Sequence, residues 1–163
     1  MPGRSARAAP AARPGFGCKA QVTGNDDGIV LDYAVECGAV PDGPQLVPAI
    51  KRIARRAGRV PRAVTADRGY GQASVERDLQ ELGVRTVAIP RRARPSPARK
   101  TIEHSRGFRR LVKWRTGCEG RISYLKRGYG WDRTLLDGKD GAAVWCGHGL
   151  FARNLIKISA LAG

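Results

Sequence analysis

The chain has 163 residues, 42% of them hydrophobic and three of them Trp, which suffices for one domain with a real core and excludes disorder throughout. A formal net charge of +16 and a pI near 10.8 point to a polyanionic partner, nucleic acid before membrane. The four cysteines form no C-x-x-C pair and the two histidines have no ligand spacing, which argues against a structural zinc site, and no apolar run reaches membrane-spanning length. With no signal-peptide core ahead of them, Cys18, Cys37, Cys118 and Cys146 are expected to be reduced thiols in a cytoplasm, small residues that are buried or half-buried.

Met1 to Pro14 is a low-complexity Ala/Arg/Pro tract with nothing to bury, and it reads as disordered. From Cys18 the pattern alternates. Ala20 and Val22, the turn residues Gly24 to Gly28, and then Ile29, Leu31, Tyr33 and Val35 at period two predict a β-hairpin. Asp42 and Pro44 open a helix through Leu46, Val47, Ile50, Ile53 and Ala57, which Gly58 stops. A strand over Ala63 to Ala66, a helix around Ala73 to Leu82 closed by Gly83, and a strand over Arg85 to Ile89 make a βαβ unit with a parallel pair. Asp67 therefore sits at the carboxyl end of a parallel strand, where ligands of open α/β sheets bind; capping or ordering the following turn is its structural alternative.

Residues 90–100 hold three prolines and five cations and read as an exposed loop leading into Arg106, Arg109, Arg110 and Lys113. Charge is concentrated there: residues 91–127 carry 13 basic against 2 acidic side chains, a run suited to phosphate contacts by Arg91, Arg92, Arg109, Arg110, Lys113, Arg121 and Arg127. A closing helix from about Gly141 to Leu161 places Leu150, Phe151, Asn154, Leu155, Ile158 and Leu161 at three- and four-residue steps, the face of a core helix, with His148 beside it as a hydrogen-bonded structural residue.

The segment from Trp114 to Trp131 contains one acid, Glu119. On a helix Arg115 lies about 40° from it and Lys126 about 20° to its other side, so one edge carries plus, minus, plus. Trp114, Cys118, Ile122, Leu125 and Tyr129 form the stripe such a helix buries. A solvated ion pair is the plain account of this edge, worth tenths of a kcal/mol. Convergence of Asp67 and Glu119 across a sheet edge would instead supply oxygen ligands for Mg²⁺ or Mn²⁺ and metal-assisted phosphodiester chemistry, with Arg115 and Lys126 on the DNA backbone.

Three features together resemble bacterial insertion-sequence transposases of the DDE class: V-T-A-D-R-G-Y-G over Val64 to Gly71, the triad Arg115, Glu119 and Lys126, and L-K-R-G-Y-G-W after it. The hairpin G-C-K-A-Q-V with D-D-G-I-V-L-D-Y and the P-D-G-P-Q-L-V-P-A-I helix extend the similarity over about residues 15–162. The resemblance implies an α/β ribonuclease H-like mixed sheet with flanking helices and Mg²⁺-dependent hydrolysis and strand transfer at transposon ends. It also implies a nucleoid-associated protein, with Asp67 and Glu119 as the second and third catalytic acids. Val112 stands where the family often has a tyrosine that contacts the DNA end.

The family's first acid is an aspartate upstream of the hairpin, yet residues 1–25 contain no Asp or Glu, and Asp26, Asp27, Asp32 and Asp42 do not match its position. The expectation is a partial catalytic domain over 15–163 that lacks its first strand, forms a homo-oligomer or associates through an exposed sheet edge, binds DNA and transfers little or no strand alone. A non-catalytic basic nucleic-acid-binding protein and another ribonuclease H-like nuclease are the competing readings.

Overall fold

The computed structural model describes residues 17–163, apart from the side chains of Cys118, Glu119 and Arg121. The tract read as disordered, Met1 to Pro14, lies outside the described residues.

Strands β1 (Cys18–Gly24) and β2 (Val30–Cys37) form the expected antiparallel hairpin. Its turn is closed by Asn25, whose side-chain oxygen accepts from the Ile29 N–H at 2.8 Å while its own N–H donates to the Ile29 carbonyl at 2.9 Å. Alternation then sorts β2 into two faces: Asp32 is buried on one and Val35 on the other. The reading of all four cysteines as reduced thiols fails here. The hairpin register sets Cys18 directly opposite Cys37, and the two are joined in a disulfide, with Cys18 itself exposed. Cys146 is a buried free thiol, as expected, and burial pushes its pKa up.

Helix α1 (Gly43–Ala57) starts with Pro44 in its first turn and ends where Gly58 adopts φ 66°, a left-handed conformation that costs glycine nothing. Strand β3 (Ala63–Thr65), a 3-10 turn (Arg68–Tyr70), helix α2 (Ala73–Glu81) and strand β4 (Thr86–Ala88) follow as the expected βαβ unit, with β3 and β4 parallel and Val64 opposite Val87. Leu46, Ile50 and Ile53 of α1 pack with Val64, Val75, Leu79, Val87 and Ile89 into the main core, in which Leu79 has no exposed surface. Among the described residues the two strand pairs do not join, and the strands fall into β1–β2 and β3–β4.

Residues 90–100 are not wholly the exposed loop their composition suggests. Ser96 caps a helix, α3 (Pro97–His104), its hydroxyl accepting from the Arg99 N–H at 3.2 Å, with Pro97 in the first turn where a missing N–H costs nothing. Arg99 is only 8% exposed. Its guanidinium donates to Glu76 (2.8 Å), Glu103 (2.9 Å) and the Ile89 carbonyl (2.8 Å), and it lies 5.5 Å from the centre of the Phe108 ring. Five donors in a fixed fork let this cation be buried where a lysine would not be satisfied.

Helices α4 (Arg106–Gly128) and α5 (Gly138–Ala162) complete the chain. Within the stripe read as buried on α4, Leu125 is buried while Ile122 is exposed. Helix α5 covers the Val35 face of the hairpin through Ala142 and Cys146, and Asn154 exchanges two hydrogen bonds with the Val30 main chain at 2.9 and 3.0 Å. It closes less of the sheet than expected. Leu150 is buried, but Phe151 is 66% and Leu155 51% exposed, Ile158 and Leu161 are exposed too, and so is His148. A two-stranded hairpin is too narrow to cover the whole apolar face of so long a helix.

The α3 network yields a stability test. Removing the guanidinium takes from Glu76 and Glu103, both poorly solvated, the cation they share and leaves only Arg91 beside them, so Arg99→Ala should lower the unfolding free energy in urea by about 3 kcal/mol. Burial alone would raise the Glu103 pKa, but the Arg91 N–H and the Arg99 guanidinium outweigh it and hold the carboxyl below its ordinary value of 4.5. Its contribution is therefore present above that value and disappears as pH falls through the lower folded pKa, a loss that urea titrations at successive acid pH values should record in full in the wild-type chain and reduced in Arg99→Ala, where the Arg91 N–H still donates to Glu103.

Candidate functional site

Asp67 leaves β3 in extended conformation (φ −66°, ψ 158°), and its Oδ1 accepts the Arg68 N–H at 2.6 Å, which fixes the carboxylate at the start of the turn. It thus fills the structural role of ordering the turn. The carboxylate nevertheless remains 63% exposed. Gly71 closes the turn because a Cβ there would meet the Pro90 carbonyl oxygen at 1.9 Å; its own carbonyl accepts the Arg92 N–H at 3.0 Å. Arg68 adds a bond from Nε to the Arg91 carbonyl at 2.9 Å, so the loops after the two parallel strands hold each other.

Helix α4 brings Arg115 to this place. Its Nη1 lies 3.7 Å from Asp67 Oδ1, and both residues line a cavity of about 360 Å³ between the two strand pairs. Glu119 falls four residues further along α4, but its side chain, like that of Arg121, lies outside those described. Lys126 and Arg127 are exposed on the same helix, as are Arg109, Arg110 and Lys113 nearer its start. Arg92 is exposed as well, whereas Arg91 is half-buried and spends its charge on Glu76 at 2.8 Å. The structure therefore unites Asp67 with Arg115, spreads five other cations along α4, and turns Arg91 inward.

Two residues of the site carry no advance signal. Asp42, expected only as a helix start, makes no capping bond; its carboxylate takes the Lys19 ammonium and the Gln21 amide of β1, the latter at 3.2 Å, and lines the same cavity. Tyr70 lines it too, its pKa pushed up to about 12 by burial first and then by the negative charges of Asp42 and Asp67. Only the folded chain places these carboxylates near one phenol, because the residues sit 25 positions apart.

Mg²⁺ takes hard oxygen ligands, keeps several waters and needs only one or two protein carboxylates. An exposed Asp67 oriented by a backbone N–H, with Asp42 in the same cavity, fits that minimum, although no group of three or more Asp, Glu, His or Cys able to hold a metal occurs among the described residues. Among the same residues no helix is long and apolar enough to cross a membrane.

Tyr70 reports on this charge arrangement. Asp42→Asn should bring its pKa down from about 12 toward the ordinary value of 10, and Asp67→Asn should lower it by a smaller step, as followed by its ring resonances in an alkaline NMR titration. An unmoved titration in both variants would separate the two carboxylates from the phenol.

Comparison with protein families gives a match to the transposase DDE domain over residues 3–155. No curated protein and no solved structure matches the chain.

Proposed function

The chain belongs to the transposase DDE domain family, and on that premise we propose that it binds transposon DNA along α4 and presents Asp67 and Glu119 as acids of a metal-dependent phosphodiester-cleaving and strand-transferring site. The observation that carries this reading is the meeting of Asp67, at the end of a parallel strand, with Arg115, on a helix whose exposed side is lined with cations. Residues 15–163 carry the second and third acids of a catalytic domain of ribonuclease H-like type, in a bacterial insertion-sequence protein.

Each side chain has a task suited to its setting. Asp67, held by the Arg68 N–H, is an oxygen ligand fixed in direction and open to solvent. Glu119, on α4, supplies the second carboxylate. Bound Mg²⁺ or Mn²⁺ supplies Lewis-acid stabilisation of the phosphodiester oxygens. Arg115 neutralises a phosphate beside Asp67, and Arg109, Arg110, Lys113, Lys126 and Arg127 hold the backbone of the duplex further along α4 without reading its sequence.

Such contacts release counterions, so DNA affinity should fall steeply with salt. The triple variant Arg109→Ala, Arg110→Ala, Lys113→Ala should reduce the slope of log K against log salt by about 3 in fluorescence-anisotropy titrations, one for each lost phosphate contact. Calorimetry with Mn²⁺ tests the acids independently: heat of binding should vanish in Asp67→Asn and in Glu119→Gln. Undiminished heat in both variants would remove the metal site and leave a basic DNA-binding protein.

A further inference from the structure

Two acid–cation pairs line the groove between the strand pairs. Arg115 of α4 stands 3.7 Å from Asp67 at the end of β3, and on the hairpin side the Lys19 ammonium of β1 is paired with Asp42, just before α1. The second pair is built unlike the ion pairs that hold the fold. Asp32 meets its two arginines through a carboxylate that is 4% exposed, whereas Asp42 is 27% exposed and Lys19 54%. An ion pair so open to water contributes at most about 1 kcal/mol, so the ammonium changes partner at little cost. The carboxylate keeps its direction when it does. The Gln21 amide donates to the same Oδ1 at 3.2 Å, and Oδ2 faces the turn that Asp67 opens, 3.5 Å from where a Cβ on Gly69 would lie.

Charge then decides where Lys19 goes. Two carboxylates and two side-chain cations cancel, and a divalent cation bound at Asp67 and Asp42 would add two positive charges to the four groups and repel the ammonium from Asp42. A phosphate is the partner that such an excess attracts. Lys19 can turn toward one without moving its strand, because its ammonium carries three donors on a flexible four-carbon stem.

We propose that Lys19 is a further DNA-positioning residue, which exchanges Asp42 for a backbone phosphate beside Asp67 when a divalent cation occupies the site. The proposal rests on the reading of Asp67 as a metal ligand, and it extends the DNA path from Arg115 on α4 across the mouth of the groove to β1. Lys19 lies far from the cationic run of residues 91–127 in sequence, and only the fold brings it to the same cavity. The exchange makes metal and DNA binding cooperative, each raising the affinity for the other by the same factor.

Anisotropy titrations of a fluorescein-labelled duplex with the full chain, repeated over a range of KCl concentrations in EDTA and in saturating Mn²⁺, test this. Lys19→Met keeps the length of the side chain and loses its charge. In EDTA its slope of log K against log salt should equal that of the wild type, because Asp42 then holds Lys19. In Mn²⁺ the slope should be smaller by about 1, one phosphate contact, and Lys19→Arg should restore it. Calorimetry of Mn²⁺ without DNA should move the other way: Lys19→Met should bind the ion about two- to fivefold more tightly, since the competing ammonium is gone. A merely structural lysine would change the two slopes alike and would not strengthen binding of the ion. Equal slopes of wild type and Lys19→Met in Mn²⁺, the same reduction in EDTA as in Mn²⁺, no restoration by Lys19→Arg, or an unchanged or weaker Mn²⁺ affinity in Lys19→Met would each overturn the proposal and leave the metal-site reading standing. Absence of Mn²⁺ heat in the wild-type chain would overturn both.

Discussion

A buried carboxylate holds the halves of this molecule together. Asp32 projects from the hairpin toward α1, and there Arg52 grips it with a fork that reaches 2.6 Å at Oδ2 while Arg56 pairs with Oδ1 and also donates to the Leu31 carbonyl at 2.8 Å. The same helix buries Leu46, Ile50 and Ile53 in the core of the βαβ unit. Helix α1 is therefore the strut common to both strand pairs, and its grip on the hairpin is electrostatic where its grip on the other half is hydrophobic. The charge is asymmetric: the carboxylate is buried, the two guanidinium groups reach solvent. Loss of the arginines would strand an ion in the interior, whereas loss of the acid would free two cations into water, so the arrangement depends more on its partners than on Asp32 itself.

The functional end follows from this frame. Because α1 fixes where its own start lies, Asp42 is carried to the groove, where β1 holds it by Lys19 and Gln21. Because β3 and β4 run parallel, their following loops lie side by side, and Gly71 lets them touch closely enough for Arg68 and Arg92 to bond across. Asp67 takes its direction at the start of that turn from the Arg68 N–H. Helix α4 then adds Arg115 from outside, so three separate segments of the chain meet within one cavity.

Local rules made much of this readable. Period-two alternation predicts the hairpin, Pro44 and Gly58 bracket α1, and the βαβ spacing places Asp67 at a strand end. What stayed hidden depends on partners distant in sequence. Arg99 looks like one cation among many until Glu76 and Glu103 close on it, and the Ser96-Pro97 helix start is masked by surrounding prolines. Phe151 and Leu155 have the periodicity of a core face, but periodicity does not reveal how wide a surface the helix will find to cover. Asp42 and Tyr70 belong to the site only through tertiary placement, and Cys18 and Cys37 only through register.

That last pair has a mechanical meaning. With the disulfide at its open end and the Asn25 turn at the other, the hairpin is a covalent ring, and a slip of one residue between its strands would require the bond to break. Such a slip would swing Asp32 away from α1 and turn Val35 off α5. The ring thus works as a rigid tile with one straight rim. Any widening or narrowing of the slot beside it has to come from movement of whole pieces past one another, since the tile cannot shear within itself.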